Sequence, residues 1–153
     1  MSLQKDIHQL RNFRNEYQKA IINLIFTNNW LSEKIKEYLD KEDITPQQFN
    51  ILRILRGSFP EPLSTLQIRE RMLDKMSDTS RIVDRLVVKD LVKKSSCKTD
   101  KRLVDVLITD KGKKLLDKLD AKSNEMDGIL SHLSETEAKT LNKLLDKTRG
   151  SSK

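Results

Sequence analysis

The sequence predicts a mainly α-helical fold that carries one small β-hairpin, and three observations in its 153 residues lead there. Apolar residues recur at helical spacing through most of the chain, with only 4 Gly and 3 Pro to interrupt them. Capping signatures at Thr45-Pro46-Gln47-Gln48, Ser64-Thr65-Leu66-Gln67 and Ser134-Glu135-Thr136-Glu137 mark where helices begin. Between residues 92 and 108, valines and alternation replace the helical period, the pattern of two short strands joined by a basic loop.

Residues 3 to about 41 contain no Gly or Pro and carry Ile7, Leu10, Phe13, Tyr17, Ile21, Leu24, Ile25, Trp30, Leu31, Ile35 and Leu39 at helical intervals. One long helix is predicted there, bent near Thr27-Asn28-Asn29, where helix propensity is weakest. Thr45 can accept a hydrogen bond from the Gln48 amide, Pro46 suits the first helical position, and Gln48 can reach back to complete a capping box. The helix that follows carries Phe49, Ile51, Leu52, Ile54 and Leu55 and is expected to stop at Gly57. Phe59-Pro60-Glu61-Pro62-Leu63 reads as an extended connector, because a residue before proline avoids the helical region. Ser64 then caps a short helix to about Leu73, and Ser77 caps another to about Lys89. Strands are expected near 92–97 and 103–108. A second long helix should run over 110–130, a last one should end near Thr148, and 150–153 should form a flexible tail.

The order is helix, helix, helix, helix, hairpin, helix, helix. Residues 43–110 therefore read as a winged helix-turn-helix. The flanking helices, 1–42 and 111–149, are long enough to pack together as a separate layer. Their apolar load exceeds what one small motif can bury alone, so a partner is expected to cover the remaining apolar stripes.

Formal net charge is +7, from 30 Lys+Arg against 23 Asp+Glu, a lean toward polyanionic partners. Its distribution is more telling: Lys93, Lys94, Lys98, Lys101 and Arg102 stand against Asp100 alone between residues 93 and 102. The single cysteine, Cys97, excludes an internal disulfide and a multi-cysteine zinc site, and suits a reducing cytoplasm. No apolar run approaches a membrane span, and residues 1–13 lack the apolar core of a signal peptide, so a cytoplasmic protein is expected. Nothing resembles a nucleophile with its base, a phosphate-cradling glycine loop or a metal-ligand cluster; the expectation is no enzyme, no cofactor and no metal.

On the helix after Ser77, the residues Thr79, Ile82, Val83 and Leu86 share a stripe that should face the core. Ser77, Asp78, Arg81, Asp84, Arg85 and Val88 share the opposite one. In a helix-turn-helix the second helix enters the major groove with its N-terminal residues on base edges. Arg81 is the side chain expected to reach a base, since Arg can bond guanine O6 and N7 together. Ser77 and Ser80 suit phosphate or base contacts, and the helix N-terminus itself favours a phosphate. Asp78 either accepts from a cytosine amine or only complements the helix dipole. Arg85 either clamps a phosphate or pairs with Asp84 or Asp78. Ser64 and Thr65, at the start of the preceding helix, complete the candidate DNA contacts on the helical side.

In the hairpin, Val104, Val106 and Ile108 alternate inward and leave Lys98-Thr99-Asp100-Lys101-Arg102 as an exposed tip. Arg102 suits a minor groove, where a narrow A-tract concentrates negative potential. Asp100 reads as the group that orients its guanidinium. The plain alternatives are a solvated helix face and a charged turn without a partner.

These residues resemble those of the multiple-antibiotic-resistance regulator (MarR) family of bacterial transcription factors. Asp100-Lys101-Arg102 through Val104, Val106 and Ile108-Thr109-x-x-Gly112 looks like the family's wing pattern. Arg81-Ile82-Val83-Asp84-Arg85-Leu86 resembles its recognition helix, residues 44–49 the start of its second helix, and 133–147 its last. Two positions depart from the family: Asp90 stands where Gly is common, and Arg69 where a small residue is usual. The resemblance implies a homodimeric repressor with interlocked first and last helices, a palindromic double-stranded DNA operator, and release by a small, often aromatic, ligand. Trp30, Tyr38 and His8 are read as packing or dimer contacts, so no ligand residues are assigned. Cys97 carries basic neighbours, but peroxide-sensing relatives place their reactive cysteine on the first helix, where this chain has none. His8 and His132 are too few to suggest zinc. The competing function is a winged-helix module whose basic face meets an acidic protein.

Overall fold

The computed structural model describes residues 2–150 and replaces the expected opening helix by two. A single turn, α1 (Leu3–Asp6), ends at Ile7, and His8 takes φ 52, in the left-handed region that stops a helix. Asn15 starts the chain again, its side chain accepting from the Gln18 amide at the head of α2 (Glu16–Asp40). The apolar period ran through 7–15, but residues 8–12 are exposed and find nothing in the chain to pack on. An asparagine cap therefore wins over continuation. Helix α2 continues without a break through residues 27–29.

The capping box at Thr45 forms as the spacing requires. Thr45 Oγ1 accepts from the Gln48 amide and Gln48 Oε1 from the Thr45 amide, both at 3.1 Å. Helix α3 (Pro46–Ser58) runs through Gly57 rather than stopping there, and ends where Phe59, ahead of Pro60, turns to ψ 137. The end of the connector is a strand, β1 (Leu63–Ser64), followed by α4 (Thr65–Arg71) and α5 (Thr79–Val88). The hairpin is β2 (Val92–Ser96) and β3 (Val104–Ile108), each one residue shorter at the loop than the sequence suggested. Strand β3 is central in a three-stranded antiparallel sheet of order β1-β3-β2, with Leu63 opposite Val106 and Val92 opposite Ile108.

The expected helix over 110–130 is also broken. Helix α6 (Asp110–Asp120) stops, and α7 (Ser123–Asp127) follows with a 3-10 turn (Gly128–Leu130). At the break the Tyr38 hydroxyl on α2 donates to the Leu119 carbonyl at 2.8 Å and to that of Lys122 at 3.5 Å. Burial, with Glu125 and Asp120 nearby, pushes this phenol above its ordinary pKa and keeps it a donor. Tyr38 is thus a packing residue, as its position suggested. The last helix, α8 (Glu135–Thr148), carries its full capping box at Ser134 and Glu137. The expected tail lies, from residue 151 on, outside the described residues.

Helix α3 is the centre of the core: Ile51, Leu52 and Leu55 are buried against Val83 and Leu86 of α5, Val106 of β3 and Leu116 of α6. Across the surface above them, Arg53 meets Asp120 at 2.6 Å and Arg56 meets the same carboxylate at 2.7 Å. Arg56 first, and Arg53 with it, holds the Asp120 carboxyl below its usual pKa. By contrast, α2 leaves Tyr17, Ile21, Leu24, Ile25 and Trp30 exposed, and α8 leaves Leu141 and Leu144 exposed. No helix among the described residues is long and apolar enough to cross a membrane.

Candidate nucleic-acid interface

Helix α5 begins one residue later than the serine spacing implied. Asp78, not Ser77, is its cap, and the Asp78 carboxylate accepts from the Arg81 amide at 3.2 Å. Asp78 thus serves as the side-chain cap of α5 in the fold. Thr79, Val83 and Leu86 are buried and Ile82 half-buried, while Ser80, Arg81, Asp84, Arg85 and Val88 are exposed on the opposite stripe. Ser77 is half-buried and its hydroxyl has no hydrogen-bond partner among the described residues. Val88, 87% exposed, shows how little of this face the chain itself covers.

Neither pairing considered for Arg85 forms. Asp78 is committed to the cap, and Asp84 reaches across to the wing, where its Oδ1 lies 2.5 Å from Lys94 Nζ. Lys94 stands opposite Val106 in the ladder and so shares the helix-facing side of the sheet, which brings its ammonium to α5. This pair ties wing to helix and was not visible in the sequence, where Asp84 and Lys94 belong to different elements. Among the described residues Arg69, Arg81 and Arg85 have no ion-pair partner. All three guanidinium groups are therefore available to an outside anion.

The wing tip carries the expected brace. Arg102 donates from Nε to Asp100 Oδ1 and from a terminal nitrogen to Oδ2, both at 3.1 Å, and its backbone amide adds a third bond at 3.0 Å. The Arg102 side chain is 89% exposed against 33% for Asp100. The carboxylate is thus held under a guanidinium whose outer edge is free. These bonds from Arg102 hold the Asp100 carboxyl below its usual range. Lys98 and Lys101 flank them, exposed. Cys97 is half-buried behind the tip, its Sγ 3.2 Å from Thr99 Oγ1.

The base of the wing is locked to α5 and α6 by three residues. Asp90, at φ 60, supplies the left-handed position after α5, and its carbonyl accepts from the Thr109 hydroxyl at 2.7 Å. The same Thr109 hydroxyl caps α6 by accepting from the Gly112 amide at 3.1 Å. Gly112 lies so close to the end of α5 that an added Cβ would stand 2.4 Å from the Leu91 carbonyl oxygen and 2.7 Å from Ile108 Cγ1. The Thr-x-x-Gly spacing thus has a mechanical meaning: one residue caps, the other permits contact.

Ser64 departs from its expected place at the surface. It is 5% exposed, and its hydroxyl accepts from the Gln67 amide at 3.1 Å. Strand β1 pulls it into the sheet, so it serves the start of α4 and leaves only Thr65, half-buried, facing outward there. Of the remaining candidates Trp30 lies on a groove of about 940 Å³ with Phe26 and His132, and His8 is exposed. Among the described residues no cluster of His, Cys, Asp and Glu could hold a metal ion.

Comparison with known proteins agrees with this fold. The sequence model of the MarR family matches residues 42–103, from the approach to α3 through the wing tip. The HTH-type transcriptional repressor MdtR of Bacillus subtilis is 32% identical over 110 residues, which are 70% of this chain and 68% of MdtR. The crystal structure of a MarR transcription factor from Planctomyces limnophilus is 31% identical, with a TM-score of 0.68 over 88% of this chain and 98% of its own. A mutant MarR from E. coli complexed with operator DNA gives a TM-score of 0.78 over 90% of this chain and 99% of its own. At 24% identity that complex speaks for the fold alone.

Proposed function

Since the chain belongs to the MarR family of winged helix transcription factors, we propose that it is a sequence-specific regulator of double-stranded DNA. We further propose that it works as a homodimeric repressor released from a palindromic operator by a small ligand. The family's members are regulators and not enzymes, and this chain is no enzyme either. The observation that carries the DNA reading is the pairing of two exposed cationic features on adjoining elements of one motif. The free Arg81 and Arg85 of α5 and the braced Arg102 of the wing are held together by the Asp84–Lys94 bridge. Helix α5 suits the major groove and the wing tip the minor groove beside it. Arg81, Ser80 and Ser77 read bases or the nearest phosphates. Arg85, Thr65, Lys98 and Lys101 meet the backbone.

Selection of binding sites from random DNA tests this directly. A palindrome is expected, and Arg81→Ala is expected to relax the preference at one position in each half-site, losing about 1–3 kcal/mol of discrimination there. A variant that keeps the selectivity of the unsubstituted protein removes Arg81 from the reading surface.

The dimer rests on residues 1–42 and 111–149 and on the exposed apolar side chains of α2 and α8. Ile25 is 58% exposed and Tyr17 82%, a contiguous load that a monomer rarely shows to water. Sedimentation equilibrium is expected to return twice the chain mass for the unsubstituted protein. Ile25→Asp should return a smaller, concentration-dependent value, because a buried unpaired carboxylate opposes association. A monomeric mass for the unsubstituted protein ends the dimer reading. Ligand release is tested by titrating the DNA complex with a panel of aromatic acids. The proposal requires that one of them prefer the DNA-free state.

A further inference from the structure

Between α4 and the start of α5 lies a cleft of about 380 Å³ whose walls include Thr65, Arg69, Ser77, Asp78, Thr79 and Ser80. Arg69 is exposed on its wall without an ion pair among the described residues, although Asp78 stands in the same cleft. The Asp78 carboxylate is turned instead to the Arg81 amide, 3.2 Å away, at the end of a helix whose dipole already attracts it. Thr79 is 5% exposed, yet its hydroxyl has no hydrogen-bond partner among the described residues, and neither has that of Ser77 beside it. Buried hydroxyls are nearly always bonded, so two unbonded ones beside one cleft have donors to give to an acceptor there once their side chains turn toward it.

A group that suits all of these is an anion with several acceptor oxygens: it takes two N–H bonds from the Arg69 fork and one or more from the hydroxyls. On this surface the anion available is the DNA backbone, because Thr65, Ser77 and Ser80 edge both the cleft and the face assigned to DNA. We infer that Arg69 and the hydroxyls of the α4–α5 cleft form a seat for one backbone phosphodiester, which adds a contact on the helix before the reading helix. The inference rests on the DNA-binding reading of the same face.

The test compares the unsubstituted protein with Arg69→Ala and Arg69→Lys by fluorescence anisotropy, on a duplex carrying the selected operator and on an unrelated duplex of equal length. Each titration is repeated over a range of KCl concentrations. Arg69→Ala is expected to weaken both duplexes by about tenfold and to make the slope of log K against log salt shallower by about one, since a phosphate contact is blind to sequence. Arg69→Lys, which keeps the charge but not the fork, should keep the steeper slope and lose only part of the affinity. Thermal midpoints of all three proteins should coincide, because Arg69 is exposed and unpaired. Unchanged affinity and slope in Arg69→Ala, or a loss confined to the operator, overturns the inference. Failure of the unsubstituted protein to bind either duplex removes the DNA reading as well, so the two failures are told apart.

Discussion

Gly112→Ala is expected to destabilise the protein by about 1–3 kcal/mol, although an alanine within a helix ordinarily gains about 1 kcal/mol over glycine. The sign is decided by what the new methyl meets. At 2.4 Å from the Leu91 carbonyl oxygen and 2.7 Å from Ile108 Cγ1 it cannot be accommodated where it stands. The Leu91 carbonyl cannot yield easily, because it accepts from the Thr109 amide at 3.1 Å at the base of the wing. The helix must therefore shift away from the sheet, and the Thr109 cap and its bond to Asp90 shift with it. Gly57 supplies the control. It also lies in a helix, and nothing stands within 4 Å of an added Cβ, so Gly57→Ala should be neutral or gain up to about 1 kcal/mol. Thermal unfolding should move in opposite directions for the two variants, at about 2–4 °C for each kcal/mol. A shift of the same sign in both would show that close packing at Gly112 is not what the glycine is for.

Arg102→Ala should weaken DNA binding by about 1–3 kcal/mol, roughly 5- to 150-fold, with the larger loss at sites flanked by A-tracts. Asp100→Asn should give an intermediate loss. It leaves the guanidinium charged but removes half of the fork that aims it, so side-chain entropy must be surrendered on binding instead of beforehand. The pH dependence has a definite sign. The Asp100 carboxyl is held below its usual pKa by its bonds from Arg102. The brace is therefore fully formed above the ordinary carboxylate range and is lost only as pH falls through the depressed value. Affinity of the unsubstituted protein should show no brace-dependent change near neutrality, and Asp100→Asn should differ from it there by a constant factor. Equal affinity of Arg102→Ala and the unsubstituted protein on every duplex tested would take the wing tip out of the interface.

Local chemistry was legible where a few neighbouring residues decide the outcome. The capping boxes at Thr45, Ser64 and Ser134, the inward Val106 and Ile108, and the Asp100–Arg102 brace each involve partners within four residues, and each is present. The left-handed turn at Asp90 was suggested only by the family resemblance, in which a glycine is common at that position. What the sequence could not show lies between segments. The chain breaks at 7–15 and after Asp120 fall inside continuous apolar periods, and they depend on what those stretches find to pack on and on the Tyr38 hydroxyl arriving from α2. Strand β1 is two residues long and exists only because β3 lies beside it. That pairing in turn buries Ser64 and takes it out of the expected contact surface.

The sequence by itself therefore determined the element types, the caps, the basic hairpin and the identity of the side chains on the two faces of α5, because propensity, periodicity and short-range hydrogen bonds act along the chain. Only the tertiary structure decided that Asp84 joins Lys94, that Arg81, Arg85 and Arg69 have no ion-pair partner among the described residues, and that Gly112 must be glycine. Each of those outcomes is a matter of distance between residues remote in sequence, and Coulomb attraction and steric exclusion act over that distance alone.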